Sequence, residues 1–216
     1  MSLFKNRQDS GAKLARKLDK YRGNSDTFVL GLPRGGVPVA QKVADYLDAP
    51  LDVYIVRKLG VPGQEELALG AIAGGGERVL NEKIVQQLDI SEETINNIAE
   101  RERQELERRK KLYQSGAHKA SYAGKIAILV DDGLATGASM RAAIQALETH
   151  NPQKIIVAVP VAPPETCDDI SQIVDEMVCL ETPPDFSGVG AWYRDFSQTT
   201  DEEVREILQE YETAEG

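Results

Sequence analysis

Ile128-Leu129-Val130-Asp131-Asp132-Gly133-Leu134-Ala135-Thr136-Gly137-Ala138-Ser139-Met140 joins an apolar strand, two adjacent carboxylates, a loop of small and hydroxyl residues, and a helix start. The apolar run that begins at Ile126 and ends at Val130 predicts a parallel strand buried on both faces. Ala135, Thr136, Gly137, Ala138 and Ser139 would then aim backbone N–H groups and a helix dipole at an anion, most naturally a phosphate monoester. Asp131 and Asp132 fall at the carboxyl end of the strand, where open α/β sheets bind their ligands. There they suit the hydroxyls of a sugar or a divalent cation; the plainer reading has them cap the helix. A phosphate cradle beside sugar-binding acids describes a site for a ribose 5-phosphate. The commoner nucleotide signatures do not occur. There is no G-x-x-x-x-G-K-[ST], and Gly74-Gly75-Gly76 lacks the G-x-G-x-x-G spacing.

Around this stretch, strands and helices alternate and predict an α/β fold, a doubly wound parallel sheet with helices on both faces. A helical pattern over residues 11–22 precedes a strand over residues 27–31, a helix over 37–47 and a strand over 51–56. Residues 68–73 and 78–80 form a hairpin pattern around Gly74-Gly75-Gly76. Ser91 is placed to cap a long polar helix reaching Tyr113, with Glu105 and Arg109 at i,i+4 spacing on its solvent face. Strands follow over residues 154–161 and 174–180, and Thr200 with Glu203 makes a capping box for a final acidic helix. The 216 residues suit a single domain, with an insertion over 59–115 (flexible loop, hairpin and long helix) and a C-terminal hood and helix over 183–216.

A formal net charge of −10 argues against nucleic acid as the main partner, because phosphate backbones require a cationic surface. The basic residues Lys5, Arg7, Lys13, Arg16, Lys17, Lys20 and Arg22 read mainly as the solvated face of a first helix, with anion binding as the alternative. Cys167 and Cys179 have neither C-x-x-C spacing nor clustered histidines, which argues against zinc and fits a reducing compartment. No apolar run reaches membrane-spanning length and the start of the chain is polar, so a soluble, cytoplasmic protein is expected.

A second chemical feature, Leu32-Pro33-Arg34-Gly35-Gly36-Val37-Pro38, also follows a strand directly. Its glycines allow a backbone to approach a ligand closely, and Arg34 can grip a pair of phosphate oxygens; the alternative is an ordinary turn. Arg57 and Lys58 come third, at the end of the next predicted strand, either to offset anionic charge or simply where that strand meets water. The Gly- and Pro-containing residues 59–67 after them favour mobility over packing.

The thirteen-residue run closely resembles the signature of type I phosphoribosyltransferases, which bind 5-phosphoribosyl-1-pyrophosphate (PRPP). The resemblance implies that Asp131 and Asp132 face the ribose hydroxyls and that Ala135, Thr136, Gly137, Ala138 and Ser139 wrap the 5′-phosphate. It gives Arg34, Gly35 and Gly36 to the pyrophosphate loop, with Arg57 and Lys58 as further pyrophosphate contacts. A flexible loop closing over the reacting centre and Mg2+ as cofactor are also implied, with Asp131, Asp132 and Asp195 as its candidate ligands, partly through PRPP. Residues 183–196 are similar in layout to the base-binding hood of hypoxanthine/guanine enzymes, where Phe186 and Trp192 would stack on a base; as plain core, the same aromatics would cover the sheet edge. The chain departs from that class at Ala135, where an acid is usual, and carries no lysine after Lys154 in the following strand. Over its whole length it resembles bacterial stand-alone phosphoribosyltransferase-domain proteins, through Asn6-Arg7-Gln8-Asp9, the Arg34 loop, Val56-Arg57-Lys58-Leu59-Gly60, the signature, and Trp192-Tyr193-Arg194-Asp195-Phe196. The expected activity is transfer of the phosphoribosyl group from PRPP to a nitrogenous base or related small-molecule acceptor. The alternative is a PRPP sensor with little or no turnover. A homodimer is a family expectation.

Overall fold

The chain runs α1 (Arg7–Lys17), β1 (Thr27–Gly31), α2 (Gly36–Leu47), β2 (Leu51–Val53), β3 (Val56–Val61), β4 (Gln64–Ala73), β5 (Arg78–Leu80), α3 (Glu82–Gln87), α4 (Glu92–Tyr113), β6 (Ile126–Val130), α5 (Ala138–Glu148), β7 (Lys154–Val161), α6 (Pro164–Ser171), β8 (Glu176–Glu181) and α7 (Asp201–Glu212). This is a computed structural model that describes residues 3–74, 78–113 and 121–212. Five strands form a parallel sheet in the order β2-β1-β6-β7-β8, and β3-β4-β5 form a separate antiparallel sheet.

Strand periodicity divides the core. Val29, Ile128, Val130, Ile156 and Ala158 face Leu14 and Leu18 of the α1 region and Val39, Val43 and Leu47 of α2. Their neighbours Leu30, Ala127, Leu129, Val157 and Val159 face Met140, Ile144 and Leu147 of α5 and Ile170 of α6. Both faces are therefore covered, which is why β6 is apolar at every position. The chain winds outward from β1 to β2 in one direction and from β6 to β7 in the other. The order reverses between β1 and β6, and Gly31 pairs in register with Val130 there. Ligands bind at such a switch point.

Three expectations need correction. The first helix begins at Arg7, four residues before the pattern suggests, because the Asn6 side chain accepts a hydrogen bond from Asp9 N at 2.9 Å and caps it. The predicted strand over 51–56 is interrupted: β2 ends at Val53, and Val56 starts β3 in the other sheet. Residues 59–67, expected to be a mobile loop, form the end of a β3–β4 hairpin in which Val61 pairs with Gln64 and Gly63 turns at φ +76°. The β4–β5 hairpin is as expected, although residues 75–77 at its turn lie outside the described residues.

Helix α4 starts where Thr94 N donates to Ser91 Oγ and buries Ile95, Ala99, Glu102, Leu106 and Tyr113 along one stripe. It packs on β3, β4 and α7, while α5 packs on the same hairpin, so the small sheet sits between the two helices. Glu203 N donates to Thr200 Oγ1 at 3.1 Å at the start of α7, the expected cap. No helix among the described residues is long and apolar enough to cross a membrane.

Leu129 is fully buried in the strand that carries the acids. Leu129→Ala should lower stability by about 2–5 kcal/mol. Urea denaturation should show this as an earlier midpoint with the slope preserved.

Candidate active site

The loops after β1 and β6 leave the sheet side by side. Leu32 N donates to the Val130 carbonyl at 2.9 Å, and the Pro33–Arg34 peptide that follows is cis. Two glycines let the loops touch. A Cβ on Gly35 would stand 2.1 Å from Asp132 Oδ2, and one on Gly36 would stand 2.6 Å from the Val130 carbonyl oxygen. Neither position has room for a side chain.

Beyond the acids, Gly137 adopts φ +71° as the N-cap of α5 and has no side chain with which to cap that helix. Ala135, Thr136 and Ser139 are exposed there, and Ala138 is half-buried. The loop is fastened from behind: Thr166 Oγ1 donates to the Ala135 carbonyl at 2.8 Å, and Arg141 binds Asp169 on α6 at 3.1 Å. A braced turn presenting the start of a helix is suited to an anion.

Asp132 N donates to Asp131 Oδ1 at 2.8 Å, which fixes the two carboxylates relative to each other. Burial, reinforced by the neighbouring Asp132 charge, pushes the Asp131 carboxyl well above the usual carboxylate range. Burial also raises Asp132, opposed by Arg7, whose Nε donates to Asp132 Oδ2 at 2.7 Å. Both side chains of this ion pair are largely covered, at 12% and 14% exposure. Arg7 Nη1 also donates to the Ser197 carbonyl at 2.6 Å, and the guanidinium carbon lies 4.0 Å from the centre of the Phe196 ring. Tyr193 donates its hydroxyl to the Asp132 carbonyl at 2.6 Å. The acids are thus clasped by residues near both ends of the chain.

Sequence reasoning places Arg7 on a basic helix face, with anion binding as the alternative, and does not foresee its pairing with Asp132. The usable signal is its position: directly after the Asn6 cap, a cation sits against the positive end of the helix dipole. An acidic partner offsets that cost.

The other candidates divide. Arg34 lies beside Gly35, with Nη1 3.9 Å from Asp201 Oδ1. Asp201 also accepts the hydroxyl of Tyr113, and burial together with that carboxylate pushes the Tyr113 phenol up to about 12. A cleft of about 360 Å³ opens here, lined by Arg7, Arg34, Gly35, Asp132, Phe196 and Thr199 among others. Arg57 and Lys58 are neighbours on β3 and so project to opposite faces. The Arg57 guanidinium is turned to α4, where it pairs with Glu102 at 2.7 Å, and one ligand on one face cannot draw on both cations. Phe186 and Trp192 stack on each other with centroids 6.5 Å apart, partly buried against the Phe4, Val161 and Tyr193 cluster. Asp195 is used in a turn, its Oδ1 accepting from Ser197 N at 3.0 Å. Among the described residues no three His, Cys, Asp or Glu side chains gather where they could hold a metal ion, so Asp195 does not join Asp131 and Asp132 in one cluster. Two adjacent carboxylates are nevertheless oxygen donors of the kind a hydrated magnesium ion accepts.

A switch-point acid pair flanked by a braced helix start and a glycine loop marks a class of α/β folds whose sheet edge is suited to an anionic, hydroxyl-bearing ligand. A family model for the phosphoribosyl transferase domain matches residues 3–71 and 62–195, and the chain belongs to this family. Relatives named "Putative phosphoribosyl transferase" in Mycobacterium tuberculosis strains CDC 1551 and H37Rv are each 46% identical over 208 residues, covering 96% of this chain and 47% of theirs. The chain therefore spans about half the length of these curated relatives. The crystal structure of TT1426 from Thermus thermophilus matches with a TM-score of 0.87 at 43% identity, over 98% of this chain and 99% of that one. The AQ2163 protein from Aquifex aeolicus shares the fold, with a TM-score of 0.50 at 12% identity over 94% and 84% of the two chains.

The raised Asp131 has a consequence for stability. A carboxyl whose folded pKa lies above its unfolded value supports the fold below about pH 4 and weakens it as pH rises through the folded pKa. Asp131→Asn keeps an acceptor for Asp132 N–H and removes the buried charge. Scanning calorimetry should find the variant melting above the wild type at pH 7, with the gap narrowing toward pH 4.

Proposed function

We propose that the protein transfers the 5-phosphoribosyl group of PRPP to a nitrogenous base or related acceptor and releases pyrophosphate. One observation carries this reading. The glycine loop after β1 and the acid pair after β6 are in atomic contact at the switch point, so groups suited to pyrophosphate and ribose meet at one place.

In the reaction the bond between C1′ and the pyrophosphate oxygen breaks, and its electron pair leaves with pyrophosphate. An acceptor nitrogen supplies the pair for the new bond at C1′. The chain has little covalent work to do. Amides at the start of α5, with Thr136 and Ser139, hold the 5′-phosphate, and Asp131 and Asp132 accept the ribose hydroxyls. Arg34 and Lys58 stabilise charge building on the leaving group. Asp131 and Asp132 would hold magnesium together with PRPP, and the bound ion would supply further charge neutralisation on that group. The β3–β4 hairpin that carries Lys58 limits water at C1′, where an oxocarbenium-like state would otherwise be intercepted. Phe186 and Trp192, at the hood, offer flat apolar surface to an acceptor ring.

The test is pyrophosphate release from PRPP and magnesium across a panel of purine and pyrimidine bases. Release with one base, together with its nucleotide, supports the transferase and names the acceptor. PRPP binding without release for any base favours the sensor, and a protein that does not bind PRPP at all overturns both. Where turnover is found, Arg34→Ala and Asp132→Asn should each lower it by about two orders of magnitude or more. Circular dichroism should show both variants folded.

A further inference from the structure

We propose that Arg7 is a pyrophosphate ligand, delivered from the first turn of α1 to work beside Arg34; this rests on the phosphoribosyl-transfer reading above. Arg7 lies directly against the loop that carries Arg34. Its Nε would be 3.2 Å from a Cβ on Gly35, and the two guanidinium groups line the same cleft. The bonds to Asp132 and the Ser197 carbonyl engage two of the five guanidinium donors.

These bonds and the Phe196 ring also hold the group in one orientation. A preorganised fork loses little freedom when it takes up a phosphate edge. Neutralising Asp132 alone needs only a point charge. A planar fork with donors on two edges can hold the carboxylate and a phosphate together. The demand for cations here is high, because the chain carries a formal net charge of −10 and the cleft itself contains Asp132. Of the pair Arg57 and Lys58, Arg57 is committed to Glu102. Arg7 takes the place in the pyrophosphate subsite that the family resemblance assigns to Arg57.

Calorimetric titration with inorganic pyrophosphate and, separately, with ribose 5-phosphate, both with magnesium, separates this role from a merely structural one. For Arg7→Met, pyrophosphate affinity should fall at least about tenfold, while ribose 5-phosphate affinity stays within about threefold. Equal losses for both probes would mean that Arg7 only props Asp132 and the C-terminal segment, and would overturn the inference. So would an unchanged pyrophosphate affinity. If Arg7→Met does not fold, the wild-type Arg7 Nε–H resonance, assigned by its absence in Arg7→Lys, decides the matter. Because the Nε–H donates to Asp132, ribose 5-phosphate should move it as well, but pyrophosphate should move it further; a signal indifferent to pyrophosphate rejects the proposal. A wild type that binds neither probe removes the transfer reading itself, whereas a wild type that binds both leaves only Arg7 in question.

Discussion

The rest of the site depends on one steric fact: Gly35 and Gly36 have no side chains, so the loop after β1 lies against the acids after β6. A single methyl at Gly35 would overlap the Asp132 carboxylate, and one at Gly36 would strike the backbone of β6. Parallel pairing of Gly31 with Val130 brings the two strand ends level, and the glycines convert that proximity into contact. Arg34, the acid pair and the start of α5 are consequently fixed to one rigid sheet edge. Groups held by a scaffold in this way need no reorganisation when charge develops on a substrate.

The same contact creates an electrostatic problem that the fold only partly solves. Two adjacent carboxylates are placed under cover in a chain that is already strongly acidic. Arg7 offsets one of them directly, and the start of α5 contributes a positive dipole end. Asp131 accepts from its neighbour's amide and remains unfavourable when ionised. A locally destabilising acid pair of this kind is typical where a ligand completes the charge balance. In the proposed reaction, ribose hydroxyls and magnesium supply what is missing.

The parallel sheet and its acid-bearing centre are legible in the sequence because they are local. The inner strands β6 and β7 are nearly continuous apolar runs, and the signature carries its strand, turn and helix start within thirteen consecutive residues. Legibility fails where a local pattern has two solutions. Residues 51–61 read as one strand and a loop, yet the chain leaves the main sheet after Val53 and re-enters strand conformation in another one. Hydrophobic periodicity does not register a change of sheet. Adjacency groups Arg57 with Lys58, although neighbours on a strand point apart. Arg7 is visible as one of several basic residues, but its pairing is not, because its partners, Asp132 and the Ser197 carbonyl, lie 125 and 190 residues away.

That distinction also separates the two halves of the proposed chemistry. The sugar-phosphate half is written in short motifs, because backbone amides and adjacent acids are positioned by the turn that contains them. The acceptor half is assembled from opposite ends of the chain. Phe4 pairs with Tyr193, Leu3 N and Phe4 N donate to the Trp192 carbonyl, and the ring of Phe186 stacks on that of Trp192. An apolar wall made by long-range packing can change its shape at Phe186 or Trp192, whereas Tyr193, bonded to the Asp132 carbonyl, ties the wall to the sheet edge. Under the proposed function, binding of the donor would be a property of the motif, and selectivity for the acceptor would belong to the junction of the two chain ends. In the proposed chemistry such a fold could keep one reaction and vary its second substrate through the Phe186 and Trp192 surface, while Tyr193 couples the hood to the acid pair.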